Sequence, residues 1–144
     1  MTCNSMTWFF GVSLLLFPFF ASADDDEIWD KLVWDYGDFA QNFEARNWEG
    51  VYRYINEETK AGFGGEVGIE GLKQVYINDD NCFNAMLFAL KQGCKKSGAG
   101  GELSCDAPPQ WTDSSIVYLG ARAGFVYRRD EQKWLARYLI CGGD

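Results

Sequence analysis

Acidic side chains are the residues of this sequence best suited to chemistry, but none forms a recognisable catalytic pattern. Glu66 with Glu70, and Asp79 with Asp80, are carboxylate pairs that could act as general acid and base. With 21 acidic residues in the chain, pairs of this kind arise by chance. The sequence has no histidine that could activate a serine or cysteine nucleophile. We therefore assign no catalytic residue and favour a non-enzymatic role.

The segment Gly62–Gly71, GFGGEVGIEG, contains five glycines in ten residues, a composition typical of tight turns. It lacks the G-K-[ST] sequence of a phosphate-binding loop, and Glu66 and Glu70 would repel a phosphate. We expect a structural turn here and keep Glu66 and Glu70 as candidate binding residues for another kind of ligand.

The short acidic stretch Asp79-Asp80-Asn81 resembles part of a calcium-binding loop, but it lacks the spacing and the closing glutamate of such a loop. We interpret it as a helix boundary. No metal site and no cofactor are predicted anywhere in the chain.

Four cysteines remain once Cys3, which lies in a predicted leader, is set aside: Cys82, Cys94, Cys105 and Cys141. An even number of cysteines in a small exported chain predicts two disulfides. The competing interpretation is a zinc site with all four cysteines as ligands. The 11, 10 and 35 intervening residues include no closely spaced pair of the zinc-finger kind, so we favour disulfides.

The apolar segment Asn81–Cys94 constrains which cysteines can pair. We predict a helix from Asn81 to Gln92, capped by Asn81 and ended by Gly93. Twelve helical residues span about 18 Å, whereas bonded cysteines need Cα atoms within about 7 Å. Cys82 and Cys94 should therefore not pair. We favour Cys94–Cys105 with Cys82–Cys141; Cys82–Cys105 with Cys94–Cys141 is also allowed.

The N-terminal residues are expected to direct export. An apolar run, Trp8–Phe20, is followed by Ala21-Ser22-Ala23 and then by aspartates, as in a secretory signal peptide cleaved after Ala23. A membrane anchor is the alternative, but the run is too short to cross about 30 Å of hydrocarbon. We predict a leader at 1–23 and a single secreted or periplasmic domain at 24–144, without a stable membrane anchor.

The formal charge of −8 limits the partners that the protein can have. Nucleic acid and anionic membranes are poor partners for such a surface. A basic partner protein or a cationic ligand fits the field better, through electrostatic steering.

The pattern of apolar residues predicts helices first and strands last, an α+β arrangement in which N-terminal helices pack on a small C-terminal antiparallel sheet. Helices are expected over 24–45, from Asn47 to about Glu58, and over a short third segment before Asn78. In the first helix, the apolar positions are Ile28, Trp29, Leu32, Val33, Tyr36, Phe39, Ala40 and Phe43, and Asp30, Asp35 and Asp38 are expected to face solvent.

The last third of the chain changes character. Lys95–Gly101 is predicted to be a flexible loop. Strands are expected at Ser115–Leu119, Gly124–Arg128 and Trp134–Ile140, with a hairpin turn between the last two. Trp111, Tyr127 and Trp134 are the aromatic residues that we expect nearest the surface, and tyrosine and tryptophan are enriched at binding hot spots. They join Glu66 and Glu70 as candidate binding residues.

Two resemblances to known families can be stated from these motifs. The string GFGGEVGIEGLKQVY, the apolar helix and the CDAPP segment resemble an exported bacterial domain of uncharacterised function. That domain carries an F-G-G-x-x-G-x-x-G-[FL] stretch and is sometimes followed by a Src-homology-3-like module; the resemblance implies no activity. The order of helices and strands is similar, more loosely, to nuclear-transport-factor-2-like domains, which implies an apolar pocket under a curved sheet.

Two functional hypotheses follow. The first is an exported, non-enzymatic binding protein with an acidic, aromatic-bearing surface that engages another protein, in the manner of an inhibitor or immunity protein. The second is a small-molecule-binding or enzymatic domain of the nuclear-transport-factor-2-like type. The first requires an exposed acidic and aromatic patch, and the second requires an apolar cavity between sheet and helices.

Overall fold

The computed structural model describes residues 25–142, so the predicted leader at 1–23 lies outside the described residues. Helices come first and a four-stranded antiparallel sheet comes last, which confirms the predicted α+β class. The helices are α1 (Asp25–Glu44), α2 (Trp48–Tyr52), α3 (Gly68–Leu72, continued by a π-helical turn at Lys73–Ile77) and α4 (Asp80–Lys91). Within residues 25–142, no helix combines the length and the apolar character needed to cross a membrane.

The sheet is a meander in which each strand pairs with the next: β1 (Lys95–Ser97), β2 (Ser104–Ala107), β3 (Arg122–Arg128) and β4 (Lys133–Ile140). Strands β3 and β4 form the predicted hairpin, and a register shift between Gly124 and Phe125 interrupts their pairing. Side chains alternate between the two faces of each strand. Phe125 therefore meets α1, where its ring is 5.1 Å from that of Phe39.

Two predictions about the last third are wrong. The segment Lys95–Gly101 is not simply a loop, because Lys95–Ser97 pairs with β2 as an edge strand. Its polar sequence, KKS, gives no apolar alternation, and lysines are common on exposed edge strands. Ser115–Leu119 is not a strand: β3 pairs with Ser104–Ala107 instead. Asp113 turns the chain before this segment by accepting hydrogen bonds from the amide and hydroxyl of Ser115.

The second predicted helix is shorter than expected, since α2 ends at Tyr52 rather than near Glu58. The backbone beyond it pairs with β4: Ala136 N donates to the Tyr54 carbonyl at 2.8 Å, and Lys60 N donates to the Arg137 carbonyl at 3.1 Å. These long-range hydrogen bonds outweigh the local helical preference of the segment. One edge of the sheet is thereby partly covered.

Helix α4 has the predicted position but a different N-cap. The side chain of Asp79, not that of Asn81, accepts hydrogen bonds from the amides of Asn81 and Cys82, at 2.9 and 3.1 Å. The helix is only partly buried. It buries Phe83, Met86, Ala89 and Leu90 but leaves Phe88 exposed, so it lies on the sheet with one face towards solvent.

Both favoured disulfides are confirmed. Cys82 at the start of α4 is bonded to Cys141 after β4, and Cys94 is bonded to Cys105 in β2, with Cα–Cα distances of 5.4 and 5.5 Å. The first ties the chain end to α4, and the second holds β1 against β2. The four cysteines are therefore not free to serve as zinc ligands.

Aromatic rings fill the space between the helices and the sheet. Phe43 of α1 stacks on Phe83 of α4 at 5.0 Å and meets Tyr76 edge to face. The expectation that Asp35 faces solvent is wrong: it is only 9% exposed, and its carboxylate accepts hydrogen bonds from Lys31 and from the backbone amide of Trp134. A buried carboxylate needs such partners to offset its lost hydration.

Candidate binding surface

The outer surface of the helical layer is formed by α1 and α4, which lie side by side on the sheet. The Tyr36 hydroxyl in α1 donates a 2.6 Å hydrogen bond to the Leu90 carbonyl in α4, and burial raises the pKa of this phenol well above its ordinary value. The ion pair between Lys91 and Glu44 also joins the two helices, at 2.6 Å. These contacts place the solvent-facing side chains of both helices on one surface.

Large apolar side chains are exposed on this outer surface. Val33 and Trp34 of α1 are 65% and 79% exposed, and Phe88 of α4 is 66% exposed. Single exposed apolar residues are common on protein surfaces. An exposed tryptophan is less common, because tryptophan is highly buried on average. We call Val33, Trp34 and Phe88 the outer apolar group.

The helix that carries Val33 and Trp34 is strongly acidic. Helix α1 carries one basic residue, Lys31, against seven acidic ones: Asp25, Asp26, Glu27, Asp30, Asp35, Asp38 and Glu44. Asp26, Glu27 and Asp30 form no ion pair with any residue in 25–142. Their charge is therefore available to a partner, and it adds to the negative potential of the helical layer.

The outer apolar group was not predicted from the sequence. Trp34 does not belong to the i, i+3, i+4, i+7 series that marks the buried face of α1, and this is the signal that could have identified it. Val33 was placed within the apolar series, yet it lies at the edge of that face and remains exposed. The exposure of Phe88 could not be predicted, because nearly every residue around it in α4 is apolar.

Trp134, predicted near the surface, is instead part of the core. It is fully buried, and its indole nitrogen donates a hydrogen bond to the Ile28 carbonyl at 3.0 Å. Tyr127 is half-buried and packs against the Trp134 ring, with 5.6 Å between ring centroids. It lines a cavity of about 400 Å³ beside the start of α1, with Glu27 and Lys31. The prediction of an exposed Trp134 is wrong because this residue lies on the face of β4 that points towards the helices.

Trp111 lies on the face of the sheet that the helices leave uncovered. Its indole nitrogen donates to the Tyr138 hydroxyl at 3.1 Å, and this hydroxyl donates to Asp106 at 2.6 Å. Burial, reinforced by the hydrogen bond to Asp106, raises the pKa of the Tyr138 phenol. The Arg122 guanidinium lies 3.9 Å from the Trp111 ring and 5.0 Å from that of Phe63. Trp111 is thus engaged by its own neighbours.

Glu66 and Glu70 have different environments, since Glu66 lies in the loop before α3 and Glu70 lies within α3. The Oε2 atom of Glu66 lies 2.5 Å from the position that a Cβ on Gly62 would occupy, so a larger residue at this position would displace the Glu66 carboxylate. The Oε2 atom of Glu66 is buried and has no hydrogen-bond partner among the residues that the structure describes. Glu70 is exposed and pairs with Lys73 at 2.8 Å. The five predicted candidates therefore do not form one site.

Among the described residues, no group of three or more histidine, cysteine, aspartate or glutamate side chains is arranged to hold a metal ion. The helix–sheet interface is filled by side chains such as Phe39, Tyr76 and Phe125, all fully buried or nearly so.

No protein-family model matches this sequence, and no curated protein matches it significantly. Two solved structures are similar in part. One is a protein of unknown function with a cystatin-like fold from Nostoc punctiforme PCC 73102: it is 16% identical, with a TM-score of 0.47, over 85% of this chain and 93% of that one.

The second solved structure is an uncharacterised cystatin-fold protein from Novosphingobium aromaticivorans: it is 15% identical, with a TM-score of 0.32, over 72% of this chain and 91% of that one. Both are proteins without an established function. Their descriptions name neither the Src-homology-3-like module nor the nuclear-transport-factor-2-like domain that the sequence resembles. At these TM-scores, the likeness carries no argument about what this chain does.

Proposed function

We propose that this protein is an exported, non-enzymatic binding protein whose outer helical surface engages a basic partner protein, as an inhibitor or immunity protein does. The observation that carries the proposal is the 79% exposure of Trp34 within the acidic helix α1. Tryptophan supplies a large apolar area at low conformational cost and is enriched among the residues that dominate binding energy.

The charge around Trp34 supports a basic partner. Helix α1, which carries Val33 and Trp34, has seven acidic residues, and three of them have no ion-pair partner among residues 25–142. Complementary charge at the rim of an interface raises the association rate and disfavours like-charged competitors. An apolar centre with a charged rim is the usual anatomy of a protein interface.

Export is supported by the leader-like sequence before Asp24 and by the two disulfides. Disulfides persist in oxidising compartments such as the periplasm and the extracellular space. We propose that cleavage after Ala23 releases residues 24–144 as a single domain.

The alternative of a nuclear-transport-factor-2-like pocket has less support. Such a pocket would lie between sheet and helices, where Phe39, Tyr76 and Phe125 fill the space. We therefore favour protein binding as the function.

A capture experiment with a matched control tests the proposed function. The oxidised, leader-cleaved protein is immobilised and exposed to periplasmic or extracellular extract of the producing organism, beside the variants Trp34→Ala and Val117→Ser. Val117 is 87% exposed in the loop after Asp113, away from α1 and α4, so its substitution controls for unspecific apolar contacts. We expect one stoichiometric basic protein with the parent and with Val117→Ser, and its loss with Trp34→Ala. Capture that does not depend on Trp34 contradicts the proposal.

A further inference from the structure

A second site is indicated on the face of the sheet that points away from the helices. Phe125 contacts α1. Because side chains alternate along a strand, Val126 and Arg128 of β3 point to the opposite face of the sheet, away from the helices. Beside them lies a cavity of about 510 Å³ between this face and the segment that follows α2. It is separate from the outer helical surface.

The walls of the cavity carry charge of the sign opposite to that of the whole protein. Three cationic side chains line it: Lys60, Arg128 and Arg137, here called the three cations. Two carboxylates, Glu58 and Glu102, also line it. The cavity is thus locally cationic in a chain with a formal charge of −8.

The three cations are incompletely paired. Arg128 makes one contact with Glu58 and Arg137 makes one with Glu102, both at 3.3 Å, which is longer than the ~2.7–2.9 Å of a strong charge-assisted hydrogen bond. The Nε atom of Arg128 is buried without a hydrogen-bond partner, and Lys60 forms no ion pair within residues 25–142. A guanidinium has five donors, so most donors of Arg128 and Arg137 have no protein partner among residues 25–142.

The remaining lining is apolar. Val126 and Ala136 are buried and Ile140 is half-buried, and together they form an apolar floor beside the three cations. A concave site with an apolar floor and a few convergent charges is typical of small-molecule binding.

We propose that this cavity binds a small organic carboxylate, whose anionic end lies against the three cations and whose hydrocarbon part lies on the apolar floor. In the unliganded protein, Glu58 occupies the place next to Arg128 that the ligand carboxylate takes. This site is independent of the proposed protein-binding surface, and either can fail without the other.

The test is a titration of the oxidised protein by amide NMR with three probes: hexanoate, hexanamide and inorganic phosphate. Hexanoate is expected to give saturable shifts centred on Lys60, Val126 and Tyr138, with hexanamide and phosphate at least ten-fold weaker. The absence of saturable shifts with hexanoate overturns the proposal. Equal binding of hexanamide, or of phosphate, overturns it as well, because either would remove the role of the charge or of the apolar floor.

Substitutions separate the site from general electrostatics. Arg128→Gln should weaken hexanoate binding at least ten-fold, whereas Arg129→Gln, with the same change in charge, should alter it less than two-fold. Arg129 is exposed, pairs with Asp25 at 3.5 Å and does not line the cavity. Equal losses in the two variants contradict the proposal.

A third variant guards against a trivial loss through misfolding. Glu58→Gln removes the carboxylate that competes for Arg128 and should tighten hexanoate binding about three-fold or more. A variant that damaged the fold would not bind more tightly. Unchanged or weaker binding by Glu58→Gln contradicts the displacement of Glu58 by the ligand.

Discussion

At the scale of single residues, the clearest steric requirement lies beneath the ring of Tyr138. A Cβ on Gly124 would lie 2.3 Å from the Cε1 atom of this ring, so only glycine allows the ring to lie flat on the sheet. This position lets the Tyr138 hydroxyl reach Asp106 and accept a hydrogen bond from Trp111. The glycine therefore supports the hydrogen bonds that hold the 3₁₀ turn Pro109–Thr112, which contains Trp111, against the sheet.

Gly124→Ala should displace the Tyr138 ring and break its hydrogen bonds, at a cost of about 1–3 kcal/mol in the free energy of unfolding, as for other overpacked sites. Gly37→Ala is the matched control. Gly37 lies within α1, and a Cβ there would meet no atom of the described part of the chain within 4 Å, so alanine should stabilise the protein by about 0.5–1 kcal/mol. Denaturant unfolding of both variants measures the difference. Equal effects of the same sign would contradict the account of Gly124.

Residue environments were the part that the sequence predicted least well. Tyr127 and Trp134 are paired across β3 and β4. Which face of the sheet a side chain points to depends on the register of these strands, and the sequence does not reveal the bulge that shifts this register. The turn at residues 62–65, by contrast, could be predicted, since its glycines permit backbone conformations that other residues resist. The prediction extended this turn too far, because residues 68–71 belong to α3. Trp34 could have been found from its position outside the apolar series of α1.

At the scale of elements, the start of α4 depends on one capping carboxylate. The Asp79 side chain accepts hydrogen bonds from two amides that the helix itself leaves without partners. Asn81, which the sequence analysis proposed as the cap, is already inside the helix and exposed.

Asp79→Ala should lower the free energy of unfolding by about 0.5–2 kcal/mol, the usual cost of losing an N-cap. Asn81→Ala should change it by less than about 0.5 kcal/mol, as for other exposed substitutions. Thermal or denaturant unfolding distinguishes the two. A larger loss from the Asn81 variant would mean that Asn81, and not Asp79, caps the helix.

Helices and the two long strands could be predicted because their apolar periodicity is strong. Strand β1 could not, because three polar residues at an edge have no periodic signal, and only pairing with β2 and the Cys94–Cys105 bond define it. The end of α2 also could not be predicted from local sequence, because the backbone at Tyr54 and Lys60 forms hydrogen bonds with β4, which is distant in sequence.

At the scale of the whole molecule, the two disulfides contribute unequally. Cys82–Cys141 closes a loop with a sequence separation of 59, and Cys94–Cys105 closes one of 11. In the chain-entropy model these correspond to about 4 and about 3 kcal/mol.

Replacing Cys82 and Cys141 by serine should therefore destabilise the protein more than replacing Cys94 and Cys105. Denaturant unfolding of the two double variants provides the comparison, with the parent as reference. A larger loss from the Cys94 and Cys105 variant would contradict the role of the long loop and of the tether between α4 and the chain end.

Charge is also distributed unevenly over the whole molecule. The acidic residues are concentrated in the helical layer, α1 above all, whereas the three cations lie on the opposite face of the sheet. Net charge alone, read from the sequence, pointed to a basic partner but could not separate these two faces. The fold divides them into a surface suited to a basic protein and a cavity suited to a small anion.

The central claim is that the outer helical surface binds a basic protein through Trp34. Its most direct test is calorimetric titration of the captured partner with the parent protein, Trp34→Ala and Val117→Ser. Loss of a hot-spot tryptophan reduces the binding free energy by about 2 kcal/mol or more, so Trp34→Ala should raise the Kd about 30-fold. Val117→Ser should leave the Kd within two-fold of that of the parent. An unchanged Kd for Trp34→Ala would contradict the claim.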